Sequence, residues 1–209
     1  MGGKKRLSAV ERRVQLLEIG RKVFAQRGYE ATSLDEVAAK AGISKPIIYE
    51  HFGAKEGLYA AIVDHELEAL VRRVSQAVSH GSPRARFEAA VLAFLVYVRD
   101  EPEGFAVLTR DSPTASRSGL TRVIDDLAPR VGDIFQSEFQ RAGYPAKVAP
   151  IYAHALVGMV TQVGQWWASE HKPFAVEHVA KHVVALGWMG LRHLPQEPEL
   201  TSARSGKKK

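Results

Sequence analysis

Three helix patterns separated by glycines occupy the first 54 residues, and they limit the fold more than any other feature of the chain. From Ser8 to Arg27, apolar residues recur at spacings of four, three and seven, which places Val10, Val14, Leu17 and Phe24 on one helical face. The S-x-x-E sequence that starts at Ser8 is a helix capping box, and Gly28 is typical of the residue after a helix. We therefore expect the chain to open with an amphipathic helix.

The second and third helix patterns follow each other closely. A second capping box opens a helix over Leu34–Ala41, and Gly42 breaks it. Ser44 is suited to cap a third helix that runs to Phe52, and Pro46 is tolerated in its first turn because amides there have no intrahelical partner to lose. Two short helices joined by so tight a turn are typical of a helix-turn-helix motif.

Composition narrows the class of protein. The 209 residues are 45% hydrophobic and 25% charged, which excludes a wholly disordered, collagen-like or membrane-spanning chain. Alternating strand patterns bounded by hairpin turns are missing, so the predicted fold class is all-α. Cysteine is absent, which excludes disulfides, thiolate zinc sites and a cysteine nucleophile. The polar start MGGKKR has no apolar signal segment, and we expect a cytoplasmic protein.

Positive charge is concentrated at the two ends of the chain. Residues 1–60 hold 11 Lys and Arg against 7 Asp and Glu, whereas residues 61–200 hold 14 against 16. The last nine residues add four more cations. A compact basic N-terminal unit indicates an anionic partner, with nucleic acid as the first candidate. The alternative, an ordinary solvated surface with a flexible tail and no anionic partner, explains the charge distribution equally well.

The pattern stays helical beyond residue 54. We expect helices over residues 55–79, 87–100, 105–110, 120–142, 148–168 and 176–194, with a polar loop over residues 111–119. Pro129 should kink or divide the fourth of these helices. The last two are apolar or small on nearly every side, which a helix with one solvent-facing surface does not need. A second burial partner is therefore implied for them.

The N-terminal residues resemble the DNA-binding domain of the TetR (tetracycline-repressor) family of transcriptional regulators. The resemblance rests on residues 28–38 (GYEATSLDEVA), 41–45 (AGISK) and 48–58 (IYEHFGAKEGL), and it extends without a gap from about Arg12 to Leu58. It implies an all-α protein with an N-terminal three-helix helix-turn-helix domain at residues 8–54. A C-terminal helical domain for ligand binding and dimerisation is then expected at residues 55–195, with disordered tails at 1–7 and 196–209.

The resemblance implies contacts with double-stranded DNA for eight residues: Ser33, Ser44, Lys45, Pro46, Ile47, Tyr49, His51 and Lys55. The N-terminal turn of the third helix should enter the major groove, since free amides and the positive end of the helix dipole lie there. A structural role is the alternative for each; both serines suit helix caps in any case. Ile47 departs from the Thr or Gly common in the family, and Ala54 replaces the usual capping Ser or Asn, which predicts a frayed start of the fourth helix.

The resemblance also implies a homodimer in which the last two helices pair with their twins. Two stripes are predicted for this interface: Ala153, Val157, Val160, Gly164 and Trp167, and Val179, His182, Val183, Leu186 and Gly190. The alternative is that both helices are simply central in a monomer core. A two-fold dimer presents two recognition helices one DNA turn apart, so the operator should be palindromic.

The C-terminal helices are also expected to enclose a small-molecule effector. Helical phase gives Phe94, Tyr97, Phe105, Leu108, Met159, Gln162 and Trp166 as candidate ligand-binding residues, with plain core packing as the alternative for each. Aromatic walls with few charges favour an apolar effector.

Catalytic and metal sites are not expected. His178 and His182 are four residues apart, but Val179 replaces the glutamate of an H-E-x-x-H zinc motif. No phosphate-cradling glycine loop or nucleophile elbow occurs, so no cofactor is predicted. The sequence thus predicts a non-enzymatic DNA-binding regulator, a repressor released by an apolar effector. The alternative is a small-molecule-binding helical protein that does not bind an operator.

Overall fold

A computed structural model of the chain describes residues 7–110, 119–195 and 198–200. Residues 111–118 of the predicted polar loop and most of both predicted tails lie outside these residues. Helices account for most of the described chain: α1 Ala9–Ala31, α2 Leu34–Ala41, α3 Lys45–Phe52, α4 Lys55–Ala77, α5 Pro83–Asp100, α6 Pro102–Thr109, α7 Gly119–Arg141, α8 Ala149–Ser169 and α9 Val176–Arg192. No strand occurs within the described ranges, and the predicted all-α class is confirmed.

Helix α1 is buried from Leu16 onward. Leu16 and Val23 are fully buried, and so is Phe24, as predicted. Val10 and Val14 are 74% and 50% exposed, so the prediction of a buried face is wrong for the turns before Leu16. Residues 7–11 are all exposed. The apolar side chains in this turn therefore have no neighbouring helix to pack against.

Gly28 interrupts α1, as the sequence indicated. Its φ of 78° is in the left-handed region that glycine adopts without strain, and three more helical residues follow it. The hydroxyl of Thr32 donates a hydrogen bond to the Gly28 carbonyl over 2.7 Å. This break in α1 changes the direction of the chain before α2 begins.

The capping predictions for α1 and α2 hold to different degrees. The box at Ser8 and Glu11 is complete, with both side chains bonded to the other residue's backbone. At Ser33 the side chain accepts from the amide of Glu36, but the Glu36 carboxylate pairs with Lys40 instead of completing the box. Gly42 closes α2 at a φ of 65°.

Helix α3 starts at the predicted place. Ser44 is its N-cap residue by position, although its side chain makes no capping hydrogen bond. Ile48 is fully buried, whereas Phe52 is only half-buried. Helix α4 follows with Ala54 as a cap that has no side-chain hydrogen bond.

The C-terminal helices α5 to α9 form a second packed body around α4. The closest pairings are α7 with α8, α5 with α9 and α4 with α5. Helix α7 continues through Pro129 and is not divided there. The short α6 begins earlier than predicted, at Pro102, and packs between α1 and the other C-terminal helices. No helix in the described part of the chain is long and apolar enough to cross a bilayer.

Candidate DNA-binding surface and effector cavity

The first turn of α3 is presented to solvent. Ser44 and Pro46 are exposed, Lys45 and Ile47 are half-buried, and Tyr49 is 46% exposed one turn further on. Ile48 anchors the helix from the opposite side. Pro46 has no amide N–H, and the Ile47 amide donates to the Ser44 carbonyl over 3.1 Å. The turn therefore offers an anionic partner its exposed side chains and the positive end of the helix dipole rather than a row of free amides.

Two lysines beside this turn are held by contacts within the protein. The Nζ of Lys45 donates to the Asp35 carboxylate on α2 over 2.9 Å, and this hydrogen bond raises the pKa of Lys45. The Nζ of Lys55 donates to the Glu30 carbonyl over 3.1 Å and lies 4.6 Å from the centre of the Tyr29 ring. Both cations are thus fixed near the helix-turn-helix surface.

Ser33 and His51 lie at the edges of the same surface. Ser33 is exposed, and its hydroxyl accepts a hydrogen bond from the Glu36 amide and so caps α2. The structural role given above as the alternative to DNA contact is therefore present. His51 is half-buried, and its carbonyl accepts a hydrogen bond from Arg13 of α1 over 3.0 Å. The Arg13 guanidinium also covers the Phe52 ring at 4.5 Å. Sequence reasoning missed Arg13, because only the fold brings α1 against the end of α3.

A cavity of about 310 Å³ lies among the C-terminal helices, at the small end of the range for ligand pockets. Its walls come from α4, α5, α7, α8 and α9 and are mostly aliphatic or aromatic. Representative wall residues are Val74, Phe87, Phe94, Leu127, Phe135 and Trp188. The cavity is partly open to solvent, and its chemistry fits an apolar molecule.

Two charged residues line this cavity. The Arg86 guanidinium donates from Nε to the Val78 carbonyl over 3.0 Å, and its Nη1 lies 3.6 Å from Oε1 of Glu138. Glu138 has a second cation at 3.1 Å, Arg141. The charges are therefore already compensated by one another, which leaves apolar contact as the main attraction for a ligand.

The predicted ligand-binding residues are scattered over the structure. Phe94 lines the cavity. Tyr97, Phe105 and Leu108 are buried but form no part of its wall, and Met159 is half-buried elsewhere. Gln162 and Trp166 are exposed, so helical phase placed them on the wrong side of α8. Wall residues on α7 were missed as ligand-binding candidates, because apolar spacing predicts which side of a helix faces inward but not that this side borders a cavity.

The residues of the two predicted interface stripes differ in exposure. Seven of the ten are buried within the single chain: Ala153, Val157, Val160, Gly164, Trp167, Val179 and Val183. His182, Leu186 and Gly190 are exposed, as an interface requires. Because α8 is apolar on both sides, its pattern alone does not show which side faces the protomer core.

The outer face of α8 and α9 carries large exposed apolar side chains. These are Ile151 and Trp166 on α8, Leu186 and Met189 on α9, and Phe174 in the segment between the two helices, with exposed fractions between 45% and 69%. The rings of Phe174 and His178 stack at 5.3 Å, and His178 lies 4.7 Å from His182. Apolar side chains grouped on one face mark an interaction surface.

Comparison with known proteins identifies the family. Residues 16–62 match the model of "Bacterial regulatory proteins, tetR family". The HTH-type transcriptional activator FasR of Mycolicibacterium smegmatis is 30% identical over 191 residues, which are 91% of this chain and 87% of that protein. The chain belongs to the TetR family.

Two further relatives span most of the chain. The transcriptional regulator HbdR of an Aromatoleum species is 24% identical over 78% of this chain and 72% of that protein. The crystal structure of a TetR-like regulator from a Rhodococcus species is 29% identical with a TM-score of 0.73, over 90% of this chain and all of the other. The protein is thus a DNA-binding transcriptional regulator of this family and not an enzyme.

Proposed function

We propose that the protein binds a palindromic operator as a homodimer, represses transcription from it, and is released when an apolar small molecule enters the C-terminal cavity. The observation that carries this proposal is the pairing of an exposed α3 N-terminal turn with an apolar cavity in one chain. The proposed boundary between the two functions is 54/55; α3 ends at Phe52 and α4 begins at Lys55, which supports it.

The eight residues named from the sequence form the proposed DNA-binding surface. Ser44, Lys45, Pro46 and Ile47 in the first turn of α3 approach bases and backbone, while Tyr49 and Lys55 hold phosphates on either side. Ser33 and His51 complete the edges. Ile47 offers a methyl-rich side chain, which suits contact with a thymine methyl in the major groove.

The second copy binds through the outer face of α8 and α9. Leu186 and Ile151 are 69% and 66% exposed in the single chain, and burying them gives the free energy that an isologous helix pairing needs. His182 and Gly190 remain in this interface from the sequence prediction. The other seven residues of the two predicted stripes are buried within the protomer, where they pack α8 and α9 against its core.

The cavity selects an apolar effector. Its walls span five helices, among them the connecting helix α4 and the interface helices α8 and α9. A ligand that binds one arrangement of these helices better than another shifts the population of that arrangement, and this changes operator affinity.

Selection of operator sequences from a random duplex pool tests the DNA-binding part. We expect a palindromic motif whose affinity falls steeply with salt, and loss of binding in a variant that combines Tyr49→Ala with Lys55→Ala. Glu68→Gln, on an exposed part of α4, is the matched control and should bind like the parent. Failure to select any motif would favour the alternative function, a small-molecule-binding helical protein.

Transcription in vitro from a promoter containing the selected motif tests the direction of regulation. Repression that a panel of apolar molecules relieves supports the proposal. The FasR relative is named an activator, so stimulated transcription would keep the operator assignment and overturn repression. No response to any apolar molecule would overturn the effector part.

A further inference from the structure

A buried carboxylate joins the N-terminal helix to the C-terminal helices. Glu66 of α4 is 4% exposed, and its Oε2 accepts a hydrogen bond from the Tyr97 hydroxyl of α5 over 2.9 Å. Its Oε1 lies 3.4 Å from Nη1 of Arg21 on α1. One side chain thus contacts the helix-turn-helix unit on one side and the effector-binding helices on the other.

The Arg21 guanidinium collects two more carboxylates. Its Nη1 donates to Glu101 over 2.9 Å, and its Nη2 lies 3.8 Å from Glu103, both at the start of α6. Burial lowers the pKa of Arg21, but the carboxylates of Glu66 and Glu101 outweigh burial and raise it. The guanidinium is the cation that holds these three carboxylates together, so its loss leaves them repelling one another.

Helix α6 packs closely against the Glu66 side chain at Gly104. A Cβ on Gly104 would collide with the Glu66 carboxylate and lie 2.8 Å from the Tyr97 hydroxyl oxygen. Glycine at this position therefore permits the close approach that encloses the carboxylate. Burial of Tyr97, followed by the negative charge of Glu66, raises the pKa of this tyrosine, so the hydroxyl stays a donor.

The same cluster adjoins the wall of the cavity. Phe94 lines the cavity and lies on α5 one turn before Tyr97. Its ring contacts Phe105 of α6 edge-on at a centroid distance of 6.0 Å, next to Gly104. A ligand that displaces Phe94 therefore pushes on both helices that enclose Glu66.

We propose that Glu66 is a positioning residue for operator binding: through Tyr97 and Arg21 it sets the orientation of α1, and an effector at Phe94 changes that orientation by disturbing this contact. The proposal rests on the proposed function and adds the residues that link cavity to DNA-binding surface. A coupling of this kind has to be measured, since proximity alone does not establish it.

Spin-label distance measurements on the dimer test the proposal. The chain has no cysteine, so Ala39→Cys on the exposed side of α2 gives one label per copy. The variants are Glu66→Gln, which keeps the shape and removes the charge, and Tyr97→Phe, which removes one hydroxyl. Glu68→Gln, two residues away with a side chain 73% exposed, is the matched control. The probe is N-phenylnaphthylamine, whose fluorescence rises on entering an apolar site, and loss of binding in Ala90→Phe assigns that site to the cavity.

We expect the parent and Glu68→Gln to give one narrow distance distribution that the probe shifts. Glu66→Gln and Tyr97→Phe should broaden the distribution without probe and lose more than half of the shift, while probe affinity stays within about threefold, since neither residue lines the cavity. Operator affinity, measured on the selected palindrome, should fall in both variants. A purely structural role would lower unfolding stability but leave the distances of the folded protein unchanged.

Unchanged distances and an unchanged shift in both variants would overturn the proposal, and so would a parent distribution that bound probe leaves unshifted. If the parent shows no distance between copies, the proposed dimer fails instead. In that case a label pair within one chain, Ala39→Cys with Ser169→Cys at the exposed end of α8, tests the same variants against the same criteria. Should Glu66→Gln not fold, Tyr97→Phe and Arg21→Lys decide the outcome.

Discussion

The N-terminal unit α1 to α3 and the C-terminal helices α5 to α9 are packed in different ways. In the first, the side chains of Leu16 and Val23 on α1, Val37 on α2 and Ile48 on α3 are fully buried in the core of the unit. In the second, a cavity of about 310 Å³ remains inside, and large apolar side chains remain outside on α8 and α9. The first region is suited to move as a rigid unit, and the second to change its packing when it gains a ligand or a partner.

Under the proposed function, this difference would let a ligand change DNA binding without changing the shape of the first turn of α3. The first turn of α3 keeps its geometry because Ile48 fixes the helix beneath it. Helix α3 is joined to the rest of the chain through α4, and α1 contacts α6. In the proposed dimer, repacking around the cavity would therefore change the separation of the two α3 helices.

The largest expected effect is the loss of a core side chain from the N-terminal unit. Ile48→Ala should lower the free energy of unfolding by about 2–5 kcal/mol, because it removes buried methylenes from a packed site and leaves a cavity. Ile47→Ala, at the half-buried neighbouring position, is the control and should cost less than about 1 kcal/mol. Urea unfolding measures both; equal losses would mean that the N-terminal unit is packed as loosely as the C-terminal helices.

A charge on the outer face of α9 probes the other region. Leu186→Asp should weaken dimerisation by about 100-fold, which is about 2.7 kcal/mol, because an unpaired carboxylate enters an apolar interface. The stability of the single chain should hardly change, since Leu186 is 69% exposed. Sedimentation equilibrium gives the dimer constant, with Gln140→Asp on α7 as the control. A dimer unaffected by Leu186→Asp would place the interface elsewhere.

Filling the cavity should cost little stability and much ligand affinity. Ala90 lines the cavity, and Ala90→Phe places a ring into existing space. We expect at least a tenfold loss of N-phenylnaphthylamine affinity, about 1.4 kcal/mol, with unfolding stability within about 1 kcal/mol of the parent. Ala85→Phe, on the exposed start of α5, should leave probe binding intact. Full probe affinity in Ala90→Phe would show that the probe binds at another place.

The smallest expected effect concerns Asp35, whose carboxylate pairs with Lys45 in the first turn of α3. Asp35 holds Lys45 at 2.9 Å. If Lys45 contacts DNA as proposed, Asp35 competes with phosphate for it. Asp35→Asn should raise operator affinity about threefold at low salt, with a smaller gain at high salt as screening grows. Asp64→Asn, which removes a carboxylate from α4 far from α3 in sequence, is the control. Fluorescence anisotropy at two salt concentrations measures the change, and weaker binding by Asp35→Asn would mean that Asp35 orients Lys45 productively.

The sequence predicted the N-terminal unit better than the C-terminal helices for a physical reason. Gly28, Gly42 and the capping residues act locally, so their spacing determines helix ends without knowledge of the rest of the fold. Even there, Val10 and Val14 were misplaced, because burial depends on which neighbours the fold supplies.

In α8 the same limit matters more. Trp166 and Trp167 are adjacent and equally apolar, yet one is 45% exposed and the other 1%. The choice between them depends on how α5 and α7 pack against α8, which no local pattern contains. The cavity wall and the Glu66 cluster were missed likewise, since both join residues far apart in sequence.

The most direct test of the account is the mass of the complex that forms on a short duplex carrying the selected palindrome. Sedimentation equilibrium at low salt should give two chains per duplex, and the complex should be lost when Tyr49→Ala and Lys55→Ala are combined. A single chain per duplex, or a complex that survives the double substitution, would contradict a symmetric pair of α3 helices as the DNA-binding surface.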